Sequence, residues 1–233
     1  MRFDFMYSTD IETVNILLKR KGTVNINEIV SGFEELPTGN ICDSNGLIGA
    51  MDPSIQALSR KMAVVGQALT VDAPPHDNLT IHAAVQQAKP GDVLVINCNG
   101  CYDAGIFGEM MAVCCRAHGI AGIVIDGACR DKNELIDMNF PTFVHNTSPN
   151  GTTKEKMGSI NQPIVCGGKE VNPGDIIVGD ADGVVVIAAQ KAEEVLIASL
   201  KKHQFEERIL PQLQSGVTIA ELMKLSFSKA QQK

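Results

Sequence analysis

The sequence predicts a layered α/β fold, and three observations support this prediction. Residues 110–117 contain neither Gly nor Pro and end before Gly119, whose permissive backbone is typical of a helix C-terminus. Ala121–Ala128, which reads AGIVIDGA, has the length and β-branching of a strand buried on both faces. The turn Pro90-Gly91-Asp92 recurs as Pro173-Gly174-Asp175, and each turn precedes another aliphatic strand. Helices that alternate with buried strands indicate helices packed against a sheet.

The composition allows one large domain or two small ones. The chain has 233 residues, 44% of them hydrophobic, and its 20 basic and 27 acidic residues give a net charge of −7. Nucleic-acid binding requires a concentrated basic face, and the sequence has no Lys/Arg cluster beyond short pairs. No GxGxxG or GxxxxGKS/T motif supports nucleotide binding. We therefore expect no nucleic-acid partner.

The cysteines and the N-terminal segment indicate a compartment. The seven cysteines are an odd number, and Cys114, Cys115 and Cys129 lie in segments predicted to be regular and buried, as is usual for reduced thiols. The segment MRFDFMYSTD lacks the basic start and apolar stretch of a signal peptide. No run approaches the roughly 18 apolar residues of a membrane span. These features predict a soluble cytoplasmic protein without a membrane partner.

The other elements follow from apolar periodicity and turn residues. The N-terminal arm is expected to contain one helix over Asp10–Arg20 and a second segment over Asn27–Leu36. Pro141 indicates that the strand around it lies at a sheet edge. We expect the remaining elements in this order: a strand at 63–71, a helix at 76–88, a strand at 93–96, a short helix at 135–138, the edge strand at 140–144, a mobile loop at 145–153, a brief strand at 164–166, a hairpin at 176–187, an amphipathic helix at 190–208 and a short helix at 219–225.

Several isolated polar residues have simple structural interpretations. Thr38 or Asn40 is a candidate cap of a helix that carries Asp43 near its start, where the helix dipole favours a carboxylate. His82 lies early in a predicted helix, where a packed or surface histidine is the commoner case. Cys98-Asn99-Gly100-Cys101 has neither a second ligand pair for zinc nor a thioredoxin-like context. Asp180 and Asp182 lie in the hairpin turn without the loop of an EF-hand calcium site.

A candidate site lies where the central helix and strand are expected to meet. Arg130 and Asp131 follow the buried strand directly, at the carboxyl end where ligands collect in layered α/β folds. Glu109 stands at the helix start, where the first turn offers unpaired N–H groups on Met110 and Met111. A local ion pair between Arg130 and Asp131 is the alternative. If the two ends converge, these residues border one pocket that binds an anion and a divalent cation together.

Three segments carry a family resemblance: GEMMAVCCRAHGIAGIVIDGACRD, with DNLTIHAAVQQAKPGDVLVI upstream and GSINQPIVCGGKEVNPGDIIVGDADGVVVI downstream. Together they resemble the class II pyruvate aldolases that cleave 4-hydroxy-4-methyl-2-oxoglutarate and 4-carboxy-4-hydroxy-2-oxoadipate. The same superfamily contains protein regulators of ribonuclease E. The most specific shared element is an acidic residue, twenty intervening residues and Arg-Asp, here Glu109 and Arg130-Asp131.

The resemblance implies a role for each residue of the candidate site. Asp131 corresponds to the carboxylate that binds the catalytic Mg²⁺ or Mn²⁺, and Arg130 to the arginine at the C2 carbonyl oxygen of the substrate. Met110 and Met111 correspond to the pair whose backbone amides hold the pyruvate carboxylate. Glu109 corresponds to a carboxylate that holds metal-bound water.

The resemblance also implies an architecture and an assembly. The fold would be a single ββα-layered domain like phosphohistidine domains, and family members form trimers or hexamers with active sites at the interfaces. Glu206 corresponds to a glutamate that reaches the site from a neighbouring subunit, with Glu207 as a nearby rival, whereas His76 stands where many relatives have Gly. The expected organisation is a helical N-terminal arm at 1–37, the catalytic domain at 38–208 and a C-terminal helical tail at 209–233.

The expected function is that of a divalent-metal-dependent aldolase, a carbon–carbon lyase that releases pyruvate from a 4-hydroxy-2-oxo acid. A cation and Arg130 at the C2 oxygen would stabilise the enolate that cleavage leaves. Water held by Glu109 and Glu206 would take the proton of the C4 hydroxyl. The same site would decarboxylate oxaloacetate, and the resemblance implies a place in the degradation of aromatic compounds. The alternative is a non-catalytic protein that regulates a ribonuclease by binding it.

Overall fold

The structure, a computed structural model, describes residues 25–225, so the helix predicted over Asp10–Arg20 lies outside the described residues. The helices are α1 Ile26–Gly32, α2 Thr38–Ser44, α3 Leu79–Gln87, α4 Glu109–Ala117, α5 Lys132–Asp137, α6 Ala192–Gln214 and α7 Ile219–Leu222. The strands are β1 Gln56–Ala57, β2 Val64–Asp72, β3 Asp92–Asn97, β4 Gly105–Phe107, β5 Gly122–Cys129, β6 Thr142–Thr147, β7 Ser159–Ile160, β8 Ile164–Cys166, β9 Lys169–Val171, β10 Ile176–Asp180 and β11 Gly183–Ile187. Between residues 25 and 225 no helix has the length and apolar character that crossing a membrane requires.

The strands form one large mixed sheet and a separate hairpin. The order in the large sheet is β1-β6-β5-β3-β2-β10-β11, and β4 and β7 pair with β5 and β2 respectively. The central strands β2, β3, β5 and β6 are parallel, with helices in the connections between them. Antiparallel β1 and the β10–β11 hairpin extend this sheet on its two sides, and β8 pairs only with β9. The predicted layered α/β fold is confirmed, whereas the likeness to phosphohistidine domains stays a prediction.

Alternation along the central strands divides the core between two faces of the sheet. Helices α3 and α4 cover one face, and on the other face the side chains of the central strands are buried together with Ile177 of β10 and with Val184 and Val186 of β11. A large apolar side chain that is fully buried in either cluster contributes about 1.5–3 kcal/mol to the free energy of folding by leaving water. The first face contains Leu94, Ile96, Ile123 and Ile125, and the second contains Val93, Val95, Val124 and Phe143.

A third layer of helices packs on the outer side of the β10–β11 hairpin. Phe33 after α1, Ile41 of α2 and Leu196 of α6 are buried together with Val178 and Ile187 of the hairpin. Helix α6 continues past residue 208, where the sequence placed the start of the tail, and ends at residue 214. This layer lies apart from α3 and α4, which pack on the central strands.

The structure corrects the interpretation of the first helix of the predicted catalytic domain. Asp43 lies in the last turn of α2 rather than near its start, and Lys202 Nζ lies 3.0 Å from its carboxylate. Neither Thr38 nor Asn40 caps the helix, because α2 already begins at Thr38. Asp180 of the hairpin turn instead accepts bonds from the N–H and hydroxyl groups of Thr38 at 2.9 and 2.7 Å. This cap comes from a residue distant in sequence, so local pattern could not predict it.

Strand β6 is not at an edge of the sheet, contrary to the prediction from Pro141. It lies between β5 and β1. Pro141 immediately precedes the strand, so its missing N–H removes no bond from the ladder, and its carbonyl accepts the N–H of Ile123 at 2.9 Å. The position of a proline relative to the strand start therefore decides whether it marks an edge.

Candidate active site

The start of α4 and the end of β5 lie side by side, as predicted. Strand β4 pairs in parallel with β5, with Gly105 opposite Ala128 and Phe107 opposite Cys129. The chain that enters α4 is therefore fixed beside the chain that leaves β5. Just beyond this pairing, the N–H of Arg130 donates to the carbonyl of Phe107 at 2.8 Å.

The side chain of Asp131 forms a hydrogen bond across this junction. Its backbone is left-handed, with φ of 56°, and its Oδ2 accepts the N–H of Glu109 at 3.0 Å. A carboxylate at this place neutralises the positive end of the α4 dipole. Gly108 leaves the necessary space, because a Cβ there would lie 2.4 Å from Oδ2 of Asp131 and 3.0 Å from Cγ of Arg130.

A cavity of about 300 Å³ opens at the junction. Four of the five predicted residues border it, namely Met110, Met111, Arg130 and Asp131, whereas Glu109 is not among the described residues that line it. Arg130 Nε lies 3.6 Å from Asp131 Oδ2, which is a loose ion pair between two partly exposed side chains rather than a closed salt bridge. The remaining lining residues are Asn78, His82, Gly105, Ile106, Phe107, Gly108, Gly151, Thr152 and Lys154.

The two methionines at the helix start differ in their surroundings. The side chain of Met111 is buried in the core, whereas Met110 is 76% exposed. The N–H of Met111 already donates to the carbonyl of Gly108 at 3.1 Å. Among the described residues, no hydrogen bond from the N–H of Met110 is found. The first free donor at this helix start is therefore the Met110 amide, and a ligand would have to share the Met111 proton with Gly108.

The structure adds two residues of α3 and its N-cap that the sequence analysis did not assign to the site. Asn78 and His82 line the cavity from positions i and i+4, on one face of the helix. Asn78 Nδ2 donates to the carbonyl of Ile106 at 3.2 Å, but its Oδ1 is buried without a partner in the described part of the chain. The Nε2 atom of His82 is also buried and has no hydrogen-bond partner among the described residues. Two such atoms at a cavity wall are available to a ligand.

Lys154 brings a positive charge to the same side of the cavity. Burial lowers the pKa of His82, and the charge of Lys154 lowers this pKa further. His82 is therefore neutral near pH 7, so one of its ring nitrogens accepts and the other donates. The four-residue spacing of Asn78 and His82 was a signal in the sequence, whereas nothing local to Lys154 pointed to the site.

The loop after β6 is fastened to the rim of the cavity, although its composition predicted a mobile loop. Asp77 Oδ2 accepts bonds from the hydroxyl of Thr153 at 2.6 Å and from the N–H groups of Glu155 and Lys156 at 2.7 and 3.1 Å. The burial of Asp77 raises its pKa, but these bonds and one from Leu79 outweigh burial and lower the pKa to about 2. A charged anchor therefore holds the loop that carries Lys154.

Glu206 lies in the third layer and is not among the described residues that line the cavity. Its Oε2 accepts a bond from Asn40 Nδ2 at 2.8 Å, and its Oε1 lies 3.3 Å from Lys202 Nζ. Glu207, its rival, lies 3.6 Å from His203 Nε2. Any part for Glu206 in catalysis requires a second copy of the chain, and this assembly stays a prediction.

Comparisons with known proteins find relatives over the same part of the chain. The family model described as "RraA-like: Aldolase/RraA" matches residues 38–186. A protein of Halalkalibacterium halodurans named "Putative 4-hydroxy-4-methyl-2-oxoglutarate aldolase" is 39% identical over 180 residues, 77% of this chain and 86% of its own.

Solved structures show the same similarity. An uncharacterised protein from Pseudomonas syringae has a TM-score of 0.76 at 29% identity, over 84% of this chain and 97% of its own. RraAS2 of Streptomyces coelicolor, described as an unusual member of the RNase ES inhibitor RraA protein family, has a TM-score of 0.72 at 26% identity, over 80% and 97%. The family match spans more than half of the chain and confirms the resemblance predicted from the sequence. The chain therefore belongs to the RraA-like Aldolase/RraA family.

Proposed function

We propose that this protein is a divalent-metal-dependent aldolase that cleaves a 4-hydroxy-2-oxo acid and releases pyruvate. The supporting observation is the convergence at one cavity of Arg130, the Asp131 carboxylate and the first turn of α4. A guanidinium and a helix start bind anionic groups, while a carboxylate binds a cation. A 2-oxo acid with its cation presents all of these charges within a few atoms.

The carboxylates at the junction fit a hard divalent cation such as Mg²⁺ or Mn²⁺. Mg²⁺ keeps several waters and needs only one or two protein carboxylates. Asp131 is 37% exposed, and among the described residues no hydrogen bond to its Oδ1 is found, so one oxygen is available. Glu109 begins α4 beside it and would hold the waters of the cation. When bound, the cation supplies positive charge at the C2 oxygen.

The residues of the chain bind and orient the 2-oxo acid. The Met110 amide holds the C1 carboxylate at the positive end of α4. The Met111 amide also donates to this carboxylate, while it shares its proton with the Gly108 carbonyl. The guanidinium of Arg130 lies at the C2 oxygen, where negative charge develops as the C3–C4 bond breaks. This interaction strengthens in the transition state and therefore accelerates the reaction rather than only tightening binding.

The cavity also suits a substrate with a second carboxylate. Lys154 and the unpaired Asn78 Oδ1 and His82 Nε2 lie on the wall formed by α3 and the loop after β6. The charge of Lys154 attracts a carboxylate, and neutral His82 offers a donor or an acceptor to the C4 substituents. A 4-hydroxy-4-methyl-2-oxoglutarate-type acid matches this distribution, in agreement with the names of the relatives.

Proton removal from the C4 hydroxyl requires a base. We assign this task to water held between Glu109 and Glu206 of a neighbouring copy in a trimer or hexamer, and this water returns the proton to C3 of the enolate, which gives pyruvate. The same enolate arises when oxaloacetate loses carbon dioxide, so decarboxylation of oxaloacetate accompanies the main activity.

A second function is regulation of a ribonuclease by direct binding, since one structural relative is described as belonging to an RNase inhibitor family. A binding protein has no need for buried unpaired polar atoms inside a cavity, whereas a substrate site does.

Pyruvate release tests the proposal. Purified protein is incubated with a panel of 4-hydroxy-2-oxo acids and oxaloacetate, with Mg²⁺, with Mn²⁺ and with EDTA, and pyruvate is measured by a coupled assay. We expect metal-dependent release from at least one dicarboxylic substrate and loss of release in EDTA. Release that survives chelation would contradict the metal-dependent mechanism. Capture of a ribonuclease without turnover of any acid would favour the regulator.

A further inference from the structure

Three metal-ligating side chains meet outside the cavity described above. Nε2 of His76, Sγ of Cys101 and one carboxylate oxygen of Asp103 all lie within 4.8 Å of one another. His76 Nε2 is 2.8 Å from Asp103 Oδ1, and Cys101 Sγ is 3.9 Å from the same oxygen. We propose that His76, Cys101 and Asp103 form a second metal site, which binds Zn²⁺ or a cation of similar ligand preference and leaves the fourth position to water.

The chemistry of the three ligands selects such a cation. Thiolate and imidazole favour Zn²⁺ and related transition metals, whereas Mg²⁺ prefers oxygen ligands. A tetrahedral Zn²⁺ ion holds its nitrogen and oxygen ligands roughly 3.3 Å apart and its sulfur roughly 3.5 Å from each of them. The His76–Asp103 and Cys101–Asp103 separations differ from these values by about half an ångström, and all three ligand atoms lie within 4.8 Å of one another, so rotations of the exposed His76 and Asp103 side chains complete the site.

The burial of the ligands supports a site with one fixed ligand and two ligands whose side chains can adjust. Cys101 is 2% exposed and is held in the core, while the side chains of His76 and Asp103 are 57% and 72% exposed. The N–H of His76 donates to Cys101 Sγ at 3.3 Å, which fixes the two residues beside each other. A cation can therefore enter from solvent and find the sulfur already in place.

The backbone of His76 is left-handed, with φ of 59°, a conformation that Gly adopts without strain. The position therefore accepts Gly, and a variant that removes only the imidazole keeps the local backbone conformation.

Two other uses of these residues fit the structure less well. A nucleophilic cysteine needs access to its substrate, and Cys101 is almost fully buried. Thiol exchange with Cys98 requires a reactive thiolate, but burial raises the pKa of Cys98 well above its ordinary value. The two cysteines of the CxxC segment therefore have different roles, with only Cys101 turned to ligands outside the pair.

The proposed site joins segments that rim the cavity. The carbonyl of His76 accepts the N–H of Thr153 at 2.9 Å, and the carbonyl of Asp103 accepts Asn150 Nδ2 at 2.8 Å. Thr153 and Asn150 belong to the loop that carries Lys154. A bound cation would thus hold residues 76–78, residues 101–105 and this loop together.

Cobalt spectroscopy and zinc titration test the site. Protein freed of metal with a chelator is titrated with Co²⁺, whose charge-transfer absorption reports a thiolate ligand, and with Zn²⁺ in competition with a chromophoric chelator. We expect one Zn²⁺ per chain and the thiolate–Co²⁺ band in the wild type. His76→Gly should fold, because Gly suits the left-handed backbone. This variant should lose the thiolate–Co²⁺ band and bind Zn²⁺ at least about 100-fold more weakly than the wild type. Cys101→Ser should also lose the band.

Matched variants separate this site from other ligands. Cys114 is exposed, although the sequence predicted that its segment is buried. His118→Asn and Cys114→Ser remove an exposed histidine and this exposed cysteine, and Asp131→Asn removes the carboxylate assigned to the active-site cation. All three should keep the thiolate band and the zinc affinity. Wild-type zinc affinity no higher than that of His76→Gly, or loss of the band in Cys114→Ser but not in Cys101→Ser, would overturn the proposal.

Discussion

The carboxylate of Asp131 accepts the backbone N–H of Glu109 at 3.0 Å across 22 positions of sequence. This bond joins the end of β5 to the start of α4, so that a helix end able to bind an anion and a carboxylate able to bind a cation border one cavity. Activity should therefore respond strongly to changes on either side of the junction.

Replacing Arg130 by Ala should remove the charge that stabilises the enolate. We expect a loss of about 3–4 kcal/mol in transition-state stabilisation, on the scale of removing one oxyanion donor. Arg116→Ala, at the far end of α4, is the matched control and should retain activity. Steady-state kcat/KM for the best substrate measures the effect, and near-wild-type turnover by Arg130→Ala would refute the role assigned to the guanidinium.

Replacing Gly108 by Ala should displace the Asp131 carboxylate, because the new Cβ would lie 2.4 Å from Oδ2. A misplacement of about 1 Å at a reacting centre costs about 100-fold in rate. Gly39→Ala is the control, since a Cβ at this helical glycine meets no heavy atom within 4 Å. We expect kcat to fall in Gly108→Ala alone, and equal kinetics in the two variants would show that the junction geometry is unimportant.

Lys154 should discriminate between substrates. If its charge holds a second carboxylate, Lys154→Ala should raise KM for a dicarboxylic 4-hydroxy-2-oxo acid by about tenfold and leave KM for the matching monocarboxylic acid unchanged. Lys156→Ala, two positions along the same loop, should affect neither. The measurement is KM for both acids in each variant. An equal rise in KM for both acids would show that Lys154 does not bind the second carboxylate.

Glu206 should act across a subunit interface. Glu206→Gln and Arg130→Ala should each have strongly reduced activity as pure proteins, whereas mixed oligomers should regain activity, because about one site in four then combines two intact residues. Co-expression of the two variants followed by the pyruvate assay measures this recovery. Glu207→Gln tests the rival residue. Absence of recovery in verified mixed oligomers would exclude a site shared in this way.

Asp77 should stabilise the fold in a pH-dependent manner. Its folded pKa, about 2, is below the ordinary value of 3.8, so its contribution is present above about pH 4 and is lost as the pH falls towards 2. Asp77→Asn replaces an acceptor of four hydrogen bonds and should cost at least about 2 kcal/mol at pH 7.

Urea unfolding of the wild type and Asp77→Asn between pH 2 and pH 7 tests this contribution. The difference in unfolding free energy should shrink as the solution is acidified. Asp137→Asn, at an exposed position at the end of α5, should show little difference at any pH. A constant difference for Asp77→Asn would mean that packing rather than charge anchors the loop.

Local pattern predicted the parts of the fold that depend on neighbouring residues. Gly119 ends α4 as expected, and the apolar run after it forms β5 within one residue of its predicted bounds. The pairing of β4 beside β5 was not predictable, because three residues carry too little periodicity to identify a strand. The cap of α2 by Asp180 was not predictable for a related reason, because Asp180 and its partner Thr38 are 142 positions apart.

The candidate site shows the same division. Arg130 and Asp131 were predicted from their position after a buried strand, and the pairing of β4 with β5 explains why they meet the start of α4. Lys154 reaches the cavity because Asp77 anchors its loop by bonds that span 76 to 79 positions. Such contacts depend on tertiary structure and leave no local signal.

The pairing of β4 with β5 also has a thermodynamic consequence. Phe107 and Cys129, which are fully buried, flank the start of α4 and the end of β5, so the groups that meet the ligand are rigid before it arrives. Association then requires little loss of conformational entropy at this junction. Ligand-induced protection from amide hydrogen exchange should accordingly concentrate in residues 148–156, while β4 and β5 exchange slowly with or without ligand.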